Sequence, residues 1–150
     1  MRVLIQRVLE ASVSVEQRTI ASIGPGLLLL VGFAEHDHQE ILSRMADKIL
    51  HLRLFADEEG KMNRSLLDTG GAVLSVSQFT LYADLKRGRR PSFTAAASPD
   101  KARALYEAWN MLLKRTSLKV ETGSFGADMK VSLINDGPVT FWLDSDELFN

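Results

Sequence analysis

The sequence contains no cysteine among its 150 residues. Disulfide bonds, thiolate nucleophiles and cysteine-ligated zinc sites are therefore excluded together. It also lacks an excess of either charge, since 18 Lys and Arg residues face 19 Asp and Glu residues and leave a net charge of −1. The field of the whole molecule therefore gives no reason to expect nucleic-acid binding, which would need a local basic patch.

Long apolar runs are also missing. None approaches the roughly 20 residues that a helix needs to cross a bilayer, and the N-terminus does not have the layout of a signal peptide. We therefore expect a cytoplasmic protein without a membrane partner. Apolar residues make up 45% of the chain and charged residues 25%, which is typical of an ordinary globular protein, and the length predicts one domain over residues 1–150.

Histidines are few and lie in one region: His36, His38 and His51. No His-x-x-x-His spacing occurs among them, although His36 and His38 could hold a divalent ion weakly in a loop. Polar residues before a helix are the more common explanation of such a pattern. We predict no functional metal and no cofactor.

Apolar alternation predicts one or two strands in Met1–Glu16 and another at Thr19–Ile23. After Gly24-Pro25-Gly26, the run Leu27–Phe33 is typical of a strand that is buried on both faces. Arg7 lies among aliphatic residues of the first strand, and we expect its side chain to reach solvent at a strand edge.

Two helices are predicted from three- and four-residue apolar spacing. The first covers about Asp37–Leu52, with Asp37 as the N-cap and Glu40 completing a capping box. The second begins at Ser98-Pro99-Asp100, which supplies an N-cap, a proline at the first helical position and an acid in the first turn. Its apolar stripe, which includes Tyr106 and Trp109, belongs to the core. We interpret Ala56–Gly71 as a polar connection.

Further strands are predicted from Leu118, Met129 and Val139, for a total of about seven or eight strands and two main helices. The short connections between strands favour antiparallel pairing. The predicted fold is a single α/β domain, with mostly antiparallel sheets curved into a barrel-like core and helices packed outside.

Three hydrogen-bonding side chains crowd one strand end. Residues 72–82 are predicted as a strand that alternates like a half-buried one as far as Ser77, and Ser77, Gln78, Phe79 and Thr80 lie near its end. These groups could line a polar pocket whose backbone amides hold an anion. The alternative is the surface of an edge strand.

A basic run follows this strand. Four cations, Lys86, Arg87, Arg89 and Arg90, surround Gly88. Such a run is often a solvated loop, but arginine also recognises phosphate in bidentate fashion. Both interpretations stay open.

A second polar stretch, Asn135–Thr140, contains Gly137-Pro138 and is interpreted as a turn between two strands. Together with Ser77–Leu81 it closely resembles the two signature motifs of the D-aminoacyl-tRNA deacylases. The resemblance extends from Met1-Arg2-Val3 through Arg90–Phe93 and Ala127–Met129 to Phe141-Trp142. It therefore covers nearly the whole chain.

The resemblance implies a specific reaction and a composite site. The family hydrolyses the ester of D-aminoacyl-tRNA with the help of the tRNA 2′-OH and of main-chain groups. The resemblance implies that one subunit supplies the catalytic segment, Ser77, Gln78, Phe79 and Thr80. Gly137 and Pro138, joined by a cis bond, would come from the partner of a homodimer and capture the α-amino group. An L side chain would clash there, whereas glycine would be accepted.

The residues themselves agree with a reaction that uses few side chains. No base accompanies the serine and threonine of the first motif, and Gly-x-Ser-x-Gly is absent around Ser77. An older interpretation of such motifs makes Thr80 the nucleophile. Two other functions remain open: a non-catalytic tRNA-binding module that uses the basic run, and a general esterase that uses Ser77.

Overall fold

The computed structural model describes residues 1–150, which form eight strands and four α-helices. In chain order the elements are β1 Arg2–Val15, β2 Arg18–Ile23, β3 Gly26–Gly32, α1 Gln39–His51, β4 Phe55–Ala56, β5 Met62–Arg64, α2 Leu66–Thr69, β6 Ala72–Ser77, α3 Pro99–Lys114, β7 Val120–Thr122, β8 Lys130–Asp144 and α4 Ser145–Phe149. A 3₁₀ turn, Phe79–Tyr82, follows β6.

The long strand β1 organises the sheet because it pairs along both edges. β2 and β3 lie end to end along one edge, and β8 lies along the other. The turn from β1 to β2 is tight, since Glu16 and Gln17 both have positive φ angles, as two-residue hairpins require. β8 has no second partner and is an edge strand of this chain.

Two crossovers add parallel strands to this antiparallel core. β6 pairs parallel to β3, and β7 pairs parallel to β6. Each pair is joined by a long connection that contains a helix, α1 or α3, as parallel pairing demands. Antiparallel pairing still accounts for four of the six strand pairs. The predicted α/β fold with a curved, barrel-like sheet and flanking helices is confirmed.

The core has two parts, separated by the sheet. Alternate residues of β3 serve both: Leu27 and Leu29 face the helices, whereas Leu28 faces the barrel interior. On the helix side they meet α1 and α3, where Trp109 is fully buried and Tyr106 nearly so. The predicted burial of β3 on both faces and the structural role of α3 are thus confirmed.

The start of α1 differs from its prediction. The N-cap is His38, whose side chain makes no capping hydrogen bond, and there is no capping box with Glu40. Asp37 is buried instead, and its carboxylate accepts hydrogen bonds from the backbone N–H of Ala34 and from the Met1 ammonium group, both at 2.7 Å. Asp37 accepts from these two donors and does not cap the helix, because burial of a carboxylate without hydrogen-bond partners costs folding free energy.

Residues 56–71 were expected to be a plain connection but contain the small β4–β5 hairpin and α2. The capping box of the chain is found here. The Ser65 hydroxyl accepts from the N–H of Asp68, and the Asp68 carboxylate accepts from the N–H of Ser65. None of the helices combines the length and apolar character that a membrane span requires.

Candidate active site

A cavity of about 380 Å³ opens where β3, β6 and β7 end. The three strands run parallel, so their carboxyl ends meet at one edge of the sheet, the place where α/β sheets bind ligands. The wall is completed by the first turn of α3 and by the loop after β7. The lining residues are Val31, Gly32, Phe33, Ser77, Gln78, Phe79, Phe93, Ala96, Ala97, Pro99, Ala102, Phe125 and Gly126.

The strand that leads to the cavity is shorter and more buried than predicted. β6 ends at Ser77, and its inner residues are buried on both faces, including Ser75, whereas a half-buried strand was predicted. The chain then turns into the 3₁₀ helix at Phe79. Ser77, Gln78 and Phe79, at the junction of the strand and this turn, line the cavity.

Three contacts position this turn. Gly32 packs so closely against it that a Cβ atom there would lie 2.9 Å from the carbonyl oxygen of Gln78. At the other end, Arg2 donates to the carbonyl oxygen of Leu81 at 2.9 Å and to Asp144 at 2.8 Å. The backbone N–H of Gln78 donates to the carbonyl of Val31 at 2.7 Å. The turn is therefore held mainly by backbone contacts.

The cavity wall carries no histidine, carboxylate or lysine. His36 pairs with Asp146, and His51 pairs with Asp47, both on exposed surface. No group of three or more His, Cys, Asp or Glu side chains is placed to hold a metal ion. Ser77 thus lines a cavity that has no imidazole in its wall, which leaves the general-esterase alternative without a base there.

Thr80, in contrast, does not line the cavity. Its side chain is exposed, and its hydroxyl oxygen accepts a hydrogen bond from the side-chain amide of Gln78. The N–H groups of Phe79 and Thr80 are the first of the 3₁₀ turn, and such groups have no partner within the turn.

A buried tyrosine hydrogen-bonds to β6, the strand that leads to this site. The Tyr106 hydroxyl of α3 donates to the carbonyl of Ser75 in β6 at 2.7 Å. Burial raises the pKa of Tyr106, although hydrogen bonds with Asn110 and Ser75 oppose the shift. The hydroxyl therefore stays protonated and keeps donating at physiological pH.

The four cations of the basic run lie in an exposed loop beside the cavity. Backbone hydrogen bonds between Asp84 and Ser92 close this loop. None of the ion pairs of the chain involves Lys86, Arg87, Arg89 or Arg90. Phe93 follows the loop directly and belongs to the cavity wall, so the loop and the cavity share a border.

The Gly137-Pro138 stretch is not the turn that was predicted between two strands. β8 runs continuously from Lys130 to Asp144, and both of its halves pair with β1. Thr140 lies opposite Gln6 and Asn135 opposite Val8, so residues 136–139 bulge out opposite one residue of β1. The bond between Gly137 and Pro138 is cis. Asn135 closes the bulge, since its side chain bonds both the N–H and the carbonyl of Val139.

Arg7 holds the bulge and does not extend freely into solvent, so that prediction was wrong. Its side chain is only 14% exposed. It donates to the carbonyl of Asp136 at 3.2 Å and to that of Leu54 at 2.6 Å, and it pairs with the Asp136 carboxylate at 3.4 Å. The strand position was correct, but the local pattern could not reveal acceptors that come from distant segments.

The bulge and the cavity lie apart within one chain. Ser77 pairs with Val31, which pairs with Val3, whereas the bulge lies opposite Arg7. Three strand spacings across the sheet and the distance from Val3 to Arg7 along it give a separation of roughly 15–20 Å. Neither Gly137 nor Pro138 lines the cavity. The structure brings Ser77, Gln78 and Phe79 together in the cavity but leaves Gly137 and Pro138 outside it.

Several residues of this region were missed at the sequence level. Gly32 had a usable signal, because a glycine inside an apolar strand indicates close backbone approach. Phe125, Ala97 and Ala102 had none, since they join the wall from separate segments.

Comparisons with known proteins agree on one family. The family model described as D-Tyr-tRNA(Tyr) deacylase matches residues 4–144. A D-aminoacyl-tRNA deacylase of Thermomicrobium roseum is 58% identical over 148 residues, which cover 99% of this chain and 96% of that protein. A D-aminoacyl-tRNA deacylase of Bacillus velezensis is 56% identical over 147 residues, which cover 98% of this chain and 100% of that protein.

Solved structures share the fold. A structure described as the c-Myc DNA Unwinding Element Binding Protein superimposes with a TM-score of 0.90 at 39% identity, covering 96% of this chain and 98% of its own. A probable eukaryotic D-amino acid tRNA deacylase superimposes with a TM-score of 0.81 at 20% identity, covering 95% of this chain and 97% of its own. At that identity the second likeness shows the fold alone.

Proposed function

This chain belongs to the D-Tyr-tRNA(Tyr) deacylase family and is a D-aminoacyl-tRNA deacylase, a hydrolase of carboxylic esters, and we propose how its residues carry out and restrict that reaction. The observation that carries the proposal is the cavity at the ends of β3, β6 and β7. Ser77, Gln78 and Phe79 form one side of its wall, and no acid or base accompanies them.

We place the terminal nucleoside of the tRNA in this cavity. Its wall is mostly apolar and contains the rings of Phe33 and Phe125, which suit a planar base that leaves water. The ester on the ribose then lies against Ser77–Phe79. The unpaired cations of residues 86–90 lie beside the entrance, where the tRNA phosphates would approach.

Catalysis would use the substrate and the backbone. Water attacks the ester carbonyl, the bond to the ribose oxygen breaks, and that oxygen takes a proton. The N–H groups of Phe79 and Thr80 are proposed to stabilise the oxyanion, and the vicinal 2′-OH of the ribose to orient the water. The wall without a general base supports this assignment, and the outward position of Thr80 argues against a nucleophilic hydroxyl.

Selection of the D-ester would need a second copy of the chain. Gly137 and Pro138 lie outside the cavity of their own subunit, but they lie on β8, which has a free edge. On the same strand Phe141 and Trp142 are 40% and 46% exposed. We propose that a homodimer covers this surface and inserts the bulge of one subunit into the cavity of the other. Sedimentation equilibrium at micromolar concentration should then give twice the chain mass.

The proposed dimer explains the expected substrate range. Carbonyl groups of the bulge would capture the α-amino group, and the backbone would leave no room for an L side chain. Glycyl-tRNA, which has no side chain to clash, should also be cleaved. Because aminoacyl-tRNA is a cytoplasmic substrate, we propose that the protein acts in the cytoplasm in translation quality control.

The direct test is hydrolysis of D-tyrosyl-tRNA, L-tyrosyl-tRNA and glycyl-tRNA by substoichiometric protein. We expect rapid loss of the D-ester and of the glycyl ester, with the L-ester intact. Loss of all three would contradict the proposed role of the bulge. Salt-dependent binding of tRNA without any cleavage would instead favour a non-catalytic tRNA-binding module.

A further inference from the structure

Two aromatic rings lie exposed at the mouth of the cavity. Phe79 and Phe93 are 55% and 37% exposed. Their ring centroids are 4.9 Å apart and their planes meet at 68°, an edge-to-face arrangement. Each ring supports the orientation of the other, and the exposed fractions show that part of the pair is open to solvent. Exposed large apolar groups at a binding site indicate a contact surface.

The position of this pair is specific. Both residues contribute to the cavity wall. Phe79 belongs to the turn that carries the proposed oxyanion donors, and Phe93 follows the basic loop, two residues beyond Pro91. A ligand that extends from the cavity toward the cations of the loop would therefore pass close to these rings.

We propose that Phe79 and Phe93 form a stacking platform for the base of the nucleotide that precedes the terminal nucleoside, so that the protein recognises an acylated single-stranded 3′ end. The inference rests on the proposed function, because it needs the terminal nucleoside in the cavity. Base stacking on aromatic rings is typical of single-strand recognition and accepts any base, since each has a π face. Adjacent unpaired cations match the phosphate that joins the two nucleotides.

The platform predicts which substrates benefit from Phe93. D-tyrosyl-adenosine has no preceding nucleotide, whereas D-tyrosyl-cytidylyl-adenosine has one and D-tyrosyl-tRNA has the full 3′ end. The quantity to measure is the ratio of kcat/KM for each longer substrate to kcat/KM for D-tyrosyl-adenosine. This ratio cancels any general effect of a substitution on the cavity.

We expect Phe93→Ala to lower both ratios about 5- to 150-fold, which corresponds to about 1–3 kcal/mol of base stacking, mainly through KM. Phe93→Leu, which keeps apolar bulk without a ring, should behave like Phe93→Ala. Phe93→Trp should restore the ratios. Met111→Ala removes another exposed apolar side chain, on α3 and outside the cavity wall, and serves as the control.

Each other outcome overturns the platform. If Phe93→Ala lowers kcat/KM equally for all three substrates, Phe93 only shapes the cavity or contacts the amino acid. If the variant loses the oligomeric state of the parent protein in sedimentation, its ring serves a protein contact. If Phe93→Leu restores the ratios as well as Phe93→Trp does, apolar bulk and not stacking is required. If the parent protein cleaves none of the three esters, the proposed function is refuted, and the platform with it.

Discussion

Gly137 has a φ angle of +134°, in a region that residues with a side chain rarely adopt. A Cβ atom at this position would lie 2.6 Å from a methyl carbon of Val139 and 3.3 Å from the Arg7 guanidinium. An added methyl group must therefore displace the bulge that Arg7 and Asn135 hold. A displacement of about 1 Å at a reacting centre can cost about 10²-fold in rate.

We accordingly expect Gly137→Ala to lower kcat/KM for D-tyrosyl-tRNA by tenfold to a hundredfold or so. Gly60→Ala is the matched control, since Gly60 also has a positive φ angle, of +78°, but a Cβ there would touch nothing. The control should lose about 1–2 kcal/mol of folding stability and keep its activity. Normal turnover by a folded, dimeric Gly137→Ala protein would refute the role proposed for the bulge.

Thr80 provides a second test among single residues. Thr80 is exposed and is not among the residues that line the cavity, its hydroxyl accepts a hydrogen bond from Gln78, and only its backbone N–H is proposed to take part. We expect Thr80→Val to keep kcat within about tenfold of the parent value, because loss of a true nucleophile typically costs on the order of 10⁴-fold or more. Single-turnover hydrolysis of D-tyrosyl-tRNA measures this. A loss of that larger size, without loss of folding, would restore the nucleophilic interpretation.

Among the elements, the bulge in β8 was singled out by its sequence motif, but its shape was not predicted. The Gly-Pro pair predicted a turn, but turns and bulges use the same residues. The difference lies in β1, which pairs with both halves of β8 and keeps the strand continuous. Arg7 could not be interpreted correctly for the same reason, since its acceptors are the carbonyls of Leu54 and Asp136.

The short helix α2 shows how a hydrogen-bonded cap defines an element. Hydrogen bonds from the Ser65 backbone and side chain lower the pKa of Asp68 below its ordinary value of 3.8. The stabilising effect of the Asp68 carboxylate is therefore complete above that value. It is lost as the pH falls below it through the lowered pKa of the folded state.

We expect Ser65→Ala to reduce the free energy of unfolding by about 1 kcal/mol, because the N–H of Asp68 loses its acceptor in a partly buried site. Deacylation should be unaffected, since α2 does not line the cavity. Urea unfolding at pH 7 measures the effect, with Ser22→Ala, at an exposed serine of β2, as the control. An equal stability of both variants would show that the cap contributes nothing.

For the whole molecule, the two tyrosines link folding to alkaline pH. Both are buried, and burial raises the pKa of Tyr82 and of Tyr106 above the ordinary value of 10.0. Near Tyr82, the carboxylates of Asp37 and Asp144 act in the same direction. The contribution of the two protonated tyrosines to folding stability is complete below pH 10. It is lost as the pH rises toward their raised pKa values in the folded state.

We therefore expect the folded protein to show less tyrosinate absorbance at pH 10.5 than the unfolded protein, and its free energy of unfolding to fall between pH 8 and pH 10.5. Tyrosinate absorbance at about 295 nm, followed during urea unfolding, reports both the ionisation of the tyrosines and the free energy of unfolding, since the unfolded tyrosines ionise near pH 10. Tyr106→Phe should reduce the pH dependence. Titration of both tyrosines near pH 10 in the native state would contradict the prediction.

By itself the sequence determined the features that depend on local periodicity and on motifs: the α/β class, the apolar strand β3, the amphipathic helices α1 and α3, and the family. The structure confirms the class, the strand and the helices, because burial of one face of an element constrains the residue type at each of its positions. The position of Ser77 at a strand end was also predictable, but the early end of β6 was not, because Gly32 of another strand packs against Gln78.

Only the tertiary structure decided how the segments meet. It made the carboxyl ends of three parallel strands converge on one cavity, gave Arg7 its partners, and placed Phe93 against Phe79. It also separated Gly137 and Pro138 from the cavity of their own chain. These are contacts between residues far apart in sequence, and they follow from strand pairing and packing, which no local pattern contains.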